Sequence, residues 1–162
     1  IHYQGGEKGS VPNCAGRGVS PAKIVGPDDA ATTIRGAGDE YRYLTTGTDT
    51  SGSYFMMEAL VPPGGGPPPH AQTREDEGFY VLQGTVTFWV DGREVEAGPG
   101  TFLNVPRGCV HNFQNATEQD VRMLILFAPA GIEGMFSKMG ADPERYVEFA
   151  TEYGVEFPEA VD

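Results

Sequence analysis

The chain has 162 residues, with 23 acidic and 11 basic side chains and a formal net charge of −12. A single domain with its own hydrophobic core is expected at this length. So acidic a chain would repel nucleic-acid phosphates and anionic membrane surfaces, and no apolar run is long enough to span a bilayer. We therefore expect neither a nucleic-acid partner nor a membrane partner.

The two cysteines are too few for a disulfide framework, which favours a reducing compartment. We expect both to be structural: Cys14 lies in a Gly-rich segment, and Cys109 is expected to pack on a strand two residues before His111. No secretory signal is visible, so a cytoplasmic location is expected. The chain begins at Ile1 and not Met, which leaves a removed leader as an alternative.

Residues 1–39 are predicted to form an N-terminal arm followed by loops. The first 20 are rich in Gly, Ser and Asn and lack apolar periodicity, which is typical of an extended or poorly ordered arm. Residues 27–39 are predicted to form a loop with one short strand.

Residues 40–130 have the pattern of a β-domain. Short apolar or alternating runs, rich in aromatic and β-branched residues, recur between turn signals. Asp91-Gly92 is the strongest hairpin signal, since this pair suits a turn that needs positive φ. The spacing is typical of a β-sandwich or barrel. The predicted strands cover residues 41–45, 53–61, 79–82, 85–90, 94–97, 101–105, 111–114 and 121–127.

Residues 131–162 are predicted to form a C-terminal helical segment packed on the barrel, and a dimer contact is the alternative role of its aromatic residues. Asp142 is a candidate N-cap, and Pro143 suits the first helical position. Aromatic residues then recur at helical spacing. A shorter helix is expected over residues 132–139, ending at Gly140. No internal repeat is present, so the whole chain is predicted to be a single domain.

Three polar side chains that precede residue 79 are candidates for a site: His70, Gln72 and Glu77. His70 and Gln72 are two residues apart, so on an extended segment both point the same way. Glu77 is in phase with the inward residues of its strand, whereas Asp76 has the opposite phase. Glu75 shares the phase of Glu77 but falls in a charged turn, so we assign it to solvent.

His111 begins a later strand, after a turn that would bring that strand back across the barrel. Two imidazoles and one carboxylate on different strands can hold a divalent ion with open positions. Gln72 could add a neutral oxygen ligand, which Mn and Fe accept more readily than Ni, Cu or Zn. The sequence therefore predicts a metal centre at His70, Gln72, Glu77 and His111.

Two stretches carry a family resemblance. The first resembles the pattern G-x5-H-x-H-x(3,4)-E-x6-G and the second resembles G-x5-P-x-G-x2-H-x3-N, which are the two motifs of the cupin superfamily. Gln72 stands where the first motif has its second histidine. The remaining matched positions are Gly64, His70, Glu77 and Gly84 in the first stretch, and Gly100, Pro106, Gly108, His111 and Asn115 in the second.

The layout is similar to that of small single-domain cupins of the quercetin dioxygenase type. That resemblance implies an all-β jelly-roll barrel (a double-stranded β-helix) with short C-terminal helices, a homodimer, and a transition metal such as Fe, Mn, Ni, Cu or Zn at the barrel centre. His70, Glu77 and His111 would be ligands, with Gln72 as the substituted fourth position. Glu77 matches the glutamate that also binds the flavonol hydroxyl and acts as a base.

Three functions are compatible with this pattern. The first is a metal-dependent dioxygenase acting on an enolic or phenolic small molecule, with Glu77 as the catalytic base. The second is a non-redox isomerase, lyase or hydrolase that uses the metal as a Lewis acid, and the third is a non-catalytic small-molecule-binding module. An apolar pocket could come from Phe55, Met57, Phe79, Trp89, Phe102, Phe113 and Phe127, although we expect at least half of them only to fill the barrel.

Overall fold

The computed structural model describes residues 14–36 and 38–158. Most of the predicted N-terminal arm lies outside this range. The strands are β1 (Thr33–Gly36), β2 (Asp39–Thr45), β3 (Phe55–Val61), β4 (Ala71–Gln72), β5 (Asp76–Gln83), β6 (Val86–Val90), β7 (Arg93–Ala97), β8 (Phe102–Val105), β9 (His111–Gln114), β10 (Val121–Ala128) and β11 (Val155–Glu156). The α-helices are α1 (Gly47–Thr50), α2 (Glu133–Ala141) and α3 (Tyr146–Glu152), and two 3-10 turns cover Cys14–Arg17 and Pro143–Arg145.

Two facing antiparallel sheets form the barrel. The larger has the order β1-β2-β3-β10-β5-β8, and the smaller has the order β7-β6-β9. A third pair, β11 and β4, joins the smaller sheet through an antiparallel bridge between His70 and His111. Aromatic side chains meet between the sheets: the ring of Phe79 on β5 lies 5.0 Å from that of Phe88 on β6 and 5.8 Å from that of Phe113 on β9.

The predicted strands are confirmed, with shifts of a few residues at their ends. Strand β9 has the predicted bounds, whereas β5 begins at Asp76, three residues earlier than expected. The hairpin at Asp91-Gly92 is also confirmed, because both residues adopt positive φ (52° and 68°). Strand β3 buries every second side chain, as expected for a strand with one face on the core.

The C-terminal helices differ from the prediction in their ends. Helix α2 does not stop at Gly140 but continues to Ala141. The turn that begins at Pro143 is a 3-10 turn, and α3 follows from Tyr146; the candidate N-cap Asp142 makes no side-chain cap hydrogen bond. Apolar positions therefore predicted that helices form here but did not fix their capping geometry.

Helix α2 covers one end of the barrel. Its Phe136 ring packs against Tyr41, Phe55 and Phe127, with ring centroids 5.2, 6.1 and 5.8 Å apart. Met135 and Met139 from the same helix are also buried. The helix thereby packs apolar side chains against three strands of the larger sheet. None of the helices within the described residues has the length and apolarity that a membrane crossing requires.

Candidate metal centre

The two candidate histidines face each other on adjacent chain segments. The backbone N–H of His70 donates to the carbonyl of His111 (3.0 Å), and the N–H of His111 donates to the carbonyl of His70 (2.9 Å). Because directly opposed residues of an antiparallel pair share a face, their rings lie side by side with centroids 4.5 Å apart. The turn of the second motif supports this arrangement, since the N–H of Gly108 donates to the carbonyl of Gln72 (2.7 Å).

Each imidazole is fixed from behind by a backbone carbonyl. Nδ1 of His70 lies 2.8 Å from the carbonyl oxygen of Pro68, and Nδ1 of His111 lies 2.9 Å from that of Cys109. Because a carbonyl oxygen only accepts, each Nδ1 carries a hydrogen, and Nε2 is the atom directed into the barrel. Metal-binding histidines are oriented in this way. Cys109 contributes only its carbonyl here; its thiol and that of Cys14 are both free.

Glu77 reaches the histidines from the opposite sheet. It pairs with Val105 of β8 and Phe127 of β10, and it is only 4% exposed. Its Oε2 lies 2.8 Å from Nε2 of His111. Burial acts to lower the pKa of His111, but the hydrogen bond and the negative charge of Glu77 outweigh burial and raise that pKa above its ordinary value. A hydrogen is therefore held between the two atoms.

Gln72 also faces the same point. Its Nε2 lies 3.2 Å from Nε2 of His70 and donates a hydrogen bond to it. Burial lowers the pKa of His70, which keeps this imidazole neutral and able to accept. Rotation of the Gln72 amide by half a turn would exchange its Nε2 for Oε1. A cation beside His70 would favour that rotamer because the oxygen is a ligand and the N–H group is not.

The residues present fit a divalent ion. One ligand atom from each of His70, Glu77 and His111 lies within 4.8 Å of the others, and all three residues are buried. Ligand atoms about 2.1 Å from an ion lie about 4.2 Å apart when they stand on opposite sides of it, so small side-chain adjustments suffice. An ion would take the place of the hydrogen between Glu77 and His111, as ligand deprotonation requires.

Glu75 is not exposed to solvent, and our assignment of this residue was wrong. It is only 4% exposed, and its Oε2 is buried without a hydrogen-bond partner among the described residues. Burial raises its pKa to about 7. The turn that contains Glu75 contacts the C-terminal segment, because Thr73 donates two hydrogen bonds to the carbonyl of Gly154. The alternation of side chains correctly predicted that Glu75 shares the direction of Glu77. It gave no information about the C-terminal segment that lies over this turn.

Three of the four candidate ligands, His70, Gln72 and Glu77, line a cavity of about 40 Å³ whose wall also includes residues of α2. Such a volume holds roughly three water-sized spheres. Met57, Phe113 and Phe127 contribute to its apolar wall, as proposed from the sequence. The other expected pocket residues lie elsewhere: Phe55 and Phe79 are packed in the core, Phe102 is 63% exposed, and Trp89 donates its indole N–H to Glu94 on the outer surface.

Two tyrosines in the cavity wall were not identified from the sequence. Tyr41 of β2 and Tyr146 of α3 both line the space beside Glu77. Burial raises the pKa of Tyr146 to about 12, and the nearby charge of Glu77 adds to this shift. Neither tyrosine belongs to a motif. The inward phase of Tyr41 was the only available signal, and it does not distinguish a cavity residue from one that fills the core.

The comparisons with known proteins agree with this architecture. Residues 57–127 match the family model described as the cupin domain. The chain is 28% identical over 130 residues to quercetin 2,3-dioxygenase of Bacillus subtilis (strain 168), an alignment that covers 75% of this chain and 38% of that protein. The chain therefore spans well under half the length of that relative. It is also 25% identical over 107 residues to the polyketide synthase CurC of Streptomyces cyaneus, covering 66% and 70% of the two chains.

Solved structures show the same fold. KdgF from Halomonas sp. superposes with a TM-score of 0.61 at 17% identity, covering 71% of this chain and 99% of that chain. An RmlC-like cupin from Shewanella frigidimarina NCIMB 400 gives a TM-score of 0.60 at 19% identity, covering 71% and 96%.

Facing antiparallel sheets closed by short C-terminal helices define an all-β jelly-roll barrel, which confirms the predicted fold class. Residues 57–127 thus match the cupin domain, and the sequence resembles that of a quercetin 2,3-dioxygenase.

Proposed function

We propose that this protein is a metal-dependent dioxygenase that acts on an enolic or phenolic small molecule. The observation that carries the proposal is the convergence of His70, Glu77 and His111, whose ligand atoms lie within 4.8 Å of one another. The 28% identity to a quercetin 2,3-dioxygenase supports the reaction class. His70 and His111 are the proposed imidazole ligands, Glu77 is the proposed carboxylate ligand, and Gln72 is proposed as a weaker oxygen ligand.

Glu77 is the proposed base. It is buried among apolar side chains at the end of the barrel, where a substrate hydroxyl would lie beside its carboxylate. Transfer of the hydroxyl proton to Glu77 would leave an electron-rich enolate or phenolate, which is the form that reacts with dioxygen. A bound divalent ion would supply Lewis-acid chemistry that favours the ionised substrate. The apolar wall would exclude water from that ionised form.

The size of the cavity limits the substrate. Ligand pockets are typically about 300–1,000 Å³, whereas this cavity measures about 40 Å³. An aromatic substrate can therefore enter only if side chains at the covered end move. Met135, Phe136 and Met139 of α2 line the cavity and separate it from the outside. Movement of these side chains or of α2 itself is thus part of the proposal.

Oxygen consumption tests this function. Purified protein would be stripped of metal, reloaded separately with Fe²⁺, Mn²⁺, Co²⁺, Ni²⁺, Cu²⁺ or Zn²⁺, and mixed with flavonols and β-diketones in an oxygen electrode. We expect uptake with at least one redox-active ion. Glu77→Gln should lower the rate by about 10²- to 10⁴-fold, because it removes the base and keeps its size.

Glu58→Gln is the matched control. Glu58 lies on β3 and accepts hydrogen bonds from Arg122 (2.7 Å and 3.1 Å), outside the cavity. This variant should retain the wild-type rate. Metal-loaded wild-type protein that consumes no oxygen above the metal-only background, with every substrate tried, would overturn the proposed reaction.

A specific contact favours a second candidate, a non-catalytic small-molecule-binding cupin. The Gln72 amide donates to the same Nε2 of His70 that an ion would need. If this hydrogen bond persists, it lowers metal affinity. Elemental analysis after expression in metal-supplemented medium separates the two candidates: a stoichiometric transition metal supports the enzyme, and a content near zero supports the binding protein.

We also propose that the protein is a homodimer, as the family resemblance implies, and that it is cytoplasmic, as expected from the sequence. Light scattering coupled to size-exclusion chromatography tests the oligomeric state. A mass near twice 17.4 kDa would support the dimer, and a mass near 17.4 kDa would contradict it.

A further inference from the structure

Tyr41 lies in the wall of the cavity that three of the candidate metal ligands also line. Its side chain is 5% exposed and lines the cavity together with His70, Gln72 and Glu77. The ring is held edge-on against Phe136, with centroids 5.2 Å apart. The hydroxyl donates a hydrogen bond to Oδ2 of Asp39 (3.1 Å). Tyr41 therefore combines a fixed ring with a polar atom at the place where a ligand would bind.

Asp39 has a buried carboxylate group that packs against a glycine. It is 2% exposed and lies against Gly65, where an added Cβ atom would collide with Oδ1 of Asp39. Burial raises the pKa of Asp39 to about 6, against the opposing effects of the Tyr41 hydroxyl and the Gly66 N–H. At neutral pH the carboxylate is therefore ionised and can only accept hydrogen bonds.

The hydrogen bond to Asp39 determines whether the Tyr41 hydroxyl can donate or accept in the cavity. A tyrosine hydroxyl has one hydrogen to donate and lone pairs that can accept. The hydrogen of Tyr41 is used by Asp39, so the hydroxyl can offer only lone pairs to the cavity. Burial raises the pKa of Tyr41 well above its ordinary value, with the charge of Asp39 adding to the shift, so the hydroxyl keeps its hydrogen.

We propose that Tyr41 is a specificity-determining residue: its hydroxyl oxygen, held by Asp39, accepts a hydrogen bond from a hydroxyl group of the bound ligand. The proposal rests on the proposed function, in which the ligand is phenolic or enolic, and it adds a requirement for a donor facing β2. A ligand without that donor would leave the lone pairs of the Tyr41 hydroxyl without a hydrogen-bond donor, which carries a free-energy cost.

Tyr43 provides a matched comparison on the same strand. It is also buried, and its hydroxyl donates to the carbonyl of Glu133 (2.8 Å) and lies 3.2 Å from Oγ of Ser137. Tyr43 is not part of the cavity wall. Removal of either tyrosine hydroxyl deletes a buried hydrogen bond, but only Tyr41→Phe removes an acceptor from the cavity.

Equilibrium binding of small phenols to Zn²⁺-loaded protein tests the proposal, because zinc supports no redox turnover. The probes are catechol, resorcinol and hydroquinone, each paired with the fluorophenol in which fluorine replaces the second hydroxyl. Calorimetry would give the affinity ratio within each pair. We expect wild-type protein to prefer the hydroxylated member of at least one pair by about tenfold. Tyr41→Phe should reduce that ratio to within about twofold, and Tyr43→Phe should preserve it.

Asp39→Ala provides a second, independent variant. Without Asp39, the Tyr41 hydroxyl could donate its hydrogen to fluorine or to another acceptor of the ligand. The affinity ratio within each pair of phenols should therefore fall. Thermal melts would confirm that each variant is folded. A preference that is unchanged in Tyr41→Phe and in Asp39→Ala would overturn this inference alone. Wild-type protein that binds no phenol at all would overturn both this inference and the proposed substrate class.

Discussion

At the residue scale, Gln72 is the position that determines which ions the site would prefer. It faces His70 within the cavity, so a replacement there changes the chemistry of the ligand and not its direction. A carboxamide oxygen is a harder and weaker donor than imidazole. The arrangement of Glu77 and His111 does not depend on Gln72, because these two residues contact each other directly.

Gln72→His should therefore change metal preference. We expect affinity for Zn²⁺ and Ni²⁺ to rise by about tenfold or more, and affinity for Mn²⁺ to rise less, because imidazole favours the later transition metals. Titration calorimetry on metal-stripped protein measures both. Gln83→His, at the exposed end of β5, is the control and should leave the affinities unchanged. Equal gains for Mn²⁺ and Zn²⁺ would contradict a direct ligand role for position 72.

Asp39 should make stability depend on pH. Its folded-state pKa of about 6 lies above the ordinary value of 3.8, so the folded protein holds the proton more tightly than the unfolded chain. Stability from this group is fully present below pH 3.8 and is lost as pH rises through about 6. The loss amounts to at most about 3 kcal/mol.

Asp39→Asn removes this titration. The variant should gain stability relative to wild type as pH rises from 4 to 7, with a constant difference above about pH 7. Urea denaturation of both proteins at each pH measures the difference, and subtraction removes the contribution of Glu75, which titrates in both. A difference that does not change with pH would show that Asp39 is not buried as described.

At the element scale, the glycine-rich segment before His70 is shaped by its neighbours. Gly65 must lack a side chain because Asp39 from β2 occupies the space where Cβ would lie. Gly66 has φ of 131°, and an added Cβ there would collide with the carbonyl of Phe113 on β9. Backbone hydrogen bonds between Gly64, Gly65 and Asn115 then tie this segment to the end of the second motif. The two motifs therefore stabilise one another.

Gly65→Ala should reduce stability by about 1–3 kcal/mol, because the added methyl group displaces Asp39 or the backbone. Urea denaturation measures the loss. Gly98→Ala is the control, since a Cβ at Gly98 meets no atom within 4 Å and its φ is ordinary. The double variant Gly65→Ala/Asp39→Ala should be less destabilised than the sum of the two single variants. A loss no larger than that of Gly98→Ala would contradict the contact.

The C-terminal elements supply part of the cavity wall, which sequence periodicity did not indicate. Met135, Phe136 and Met139 of α2 line the cavity, and Tyr146 lines it next to Glu77. Periodicity identifies the apolar face of a helix but carries no information about which part of a sheet it covers.

At the scale of the whole molecule, the fold was predictable because its signals are local. Alternating strands, Asp91-Gly92 and the glycines of both motifs each specify a backbone conformation within a few residues. The candidate ligands were predictable for the same reason, since alternation fixes the directions of His70, Gln72 and Glu77. Glu75, Asp39 and Tyr41 depend on segments distant in sequence, and no local pattern indicates what covers them.

The central claim is that His70, Glu77 and His111 bind one divalent ion, and anomalous diffraction from Mn²⁺-loaded crystals tests it most directly. We predict a single anomalous peak with Nε2 of both histidines and a carboxylate oxygen of Glu77 within roughly 2.0–2.4 Å. A well-ordered site without a peak, or a peak held only by surface carboxylates, would contradict the claim.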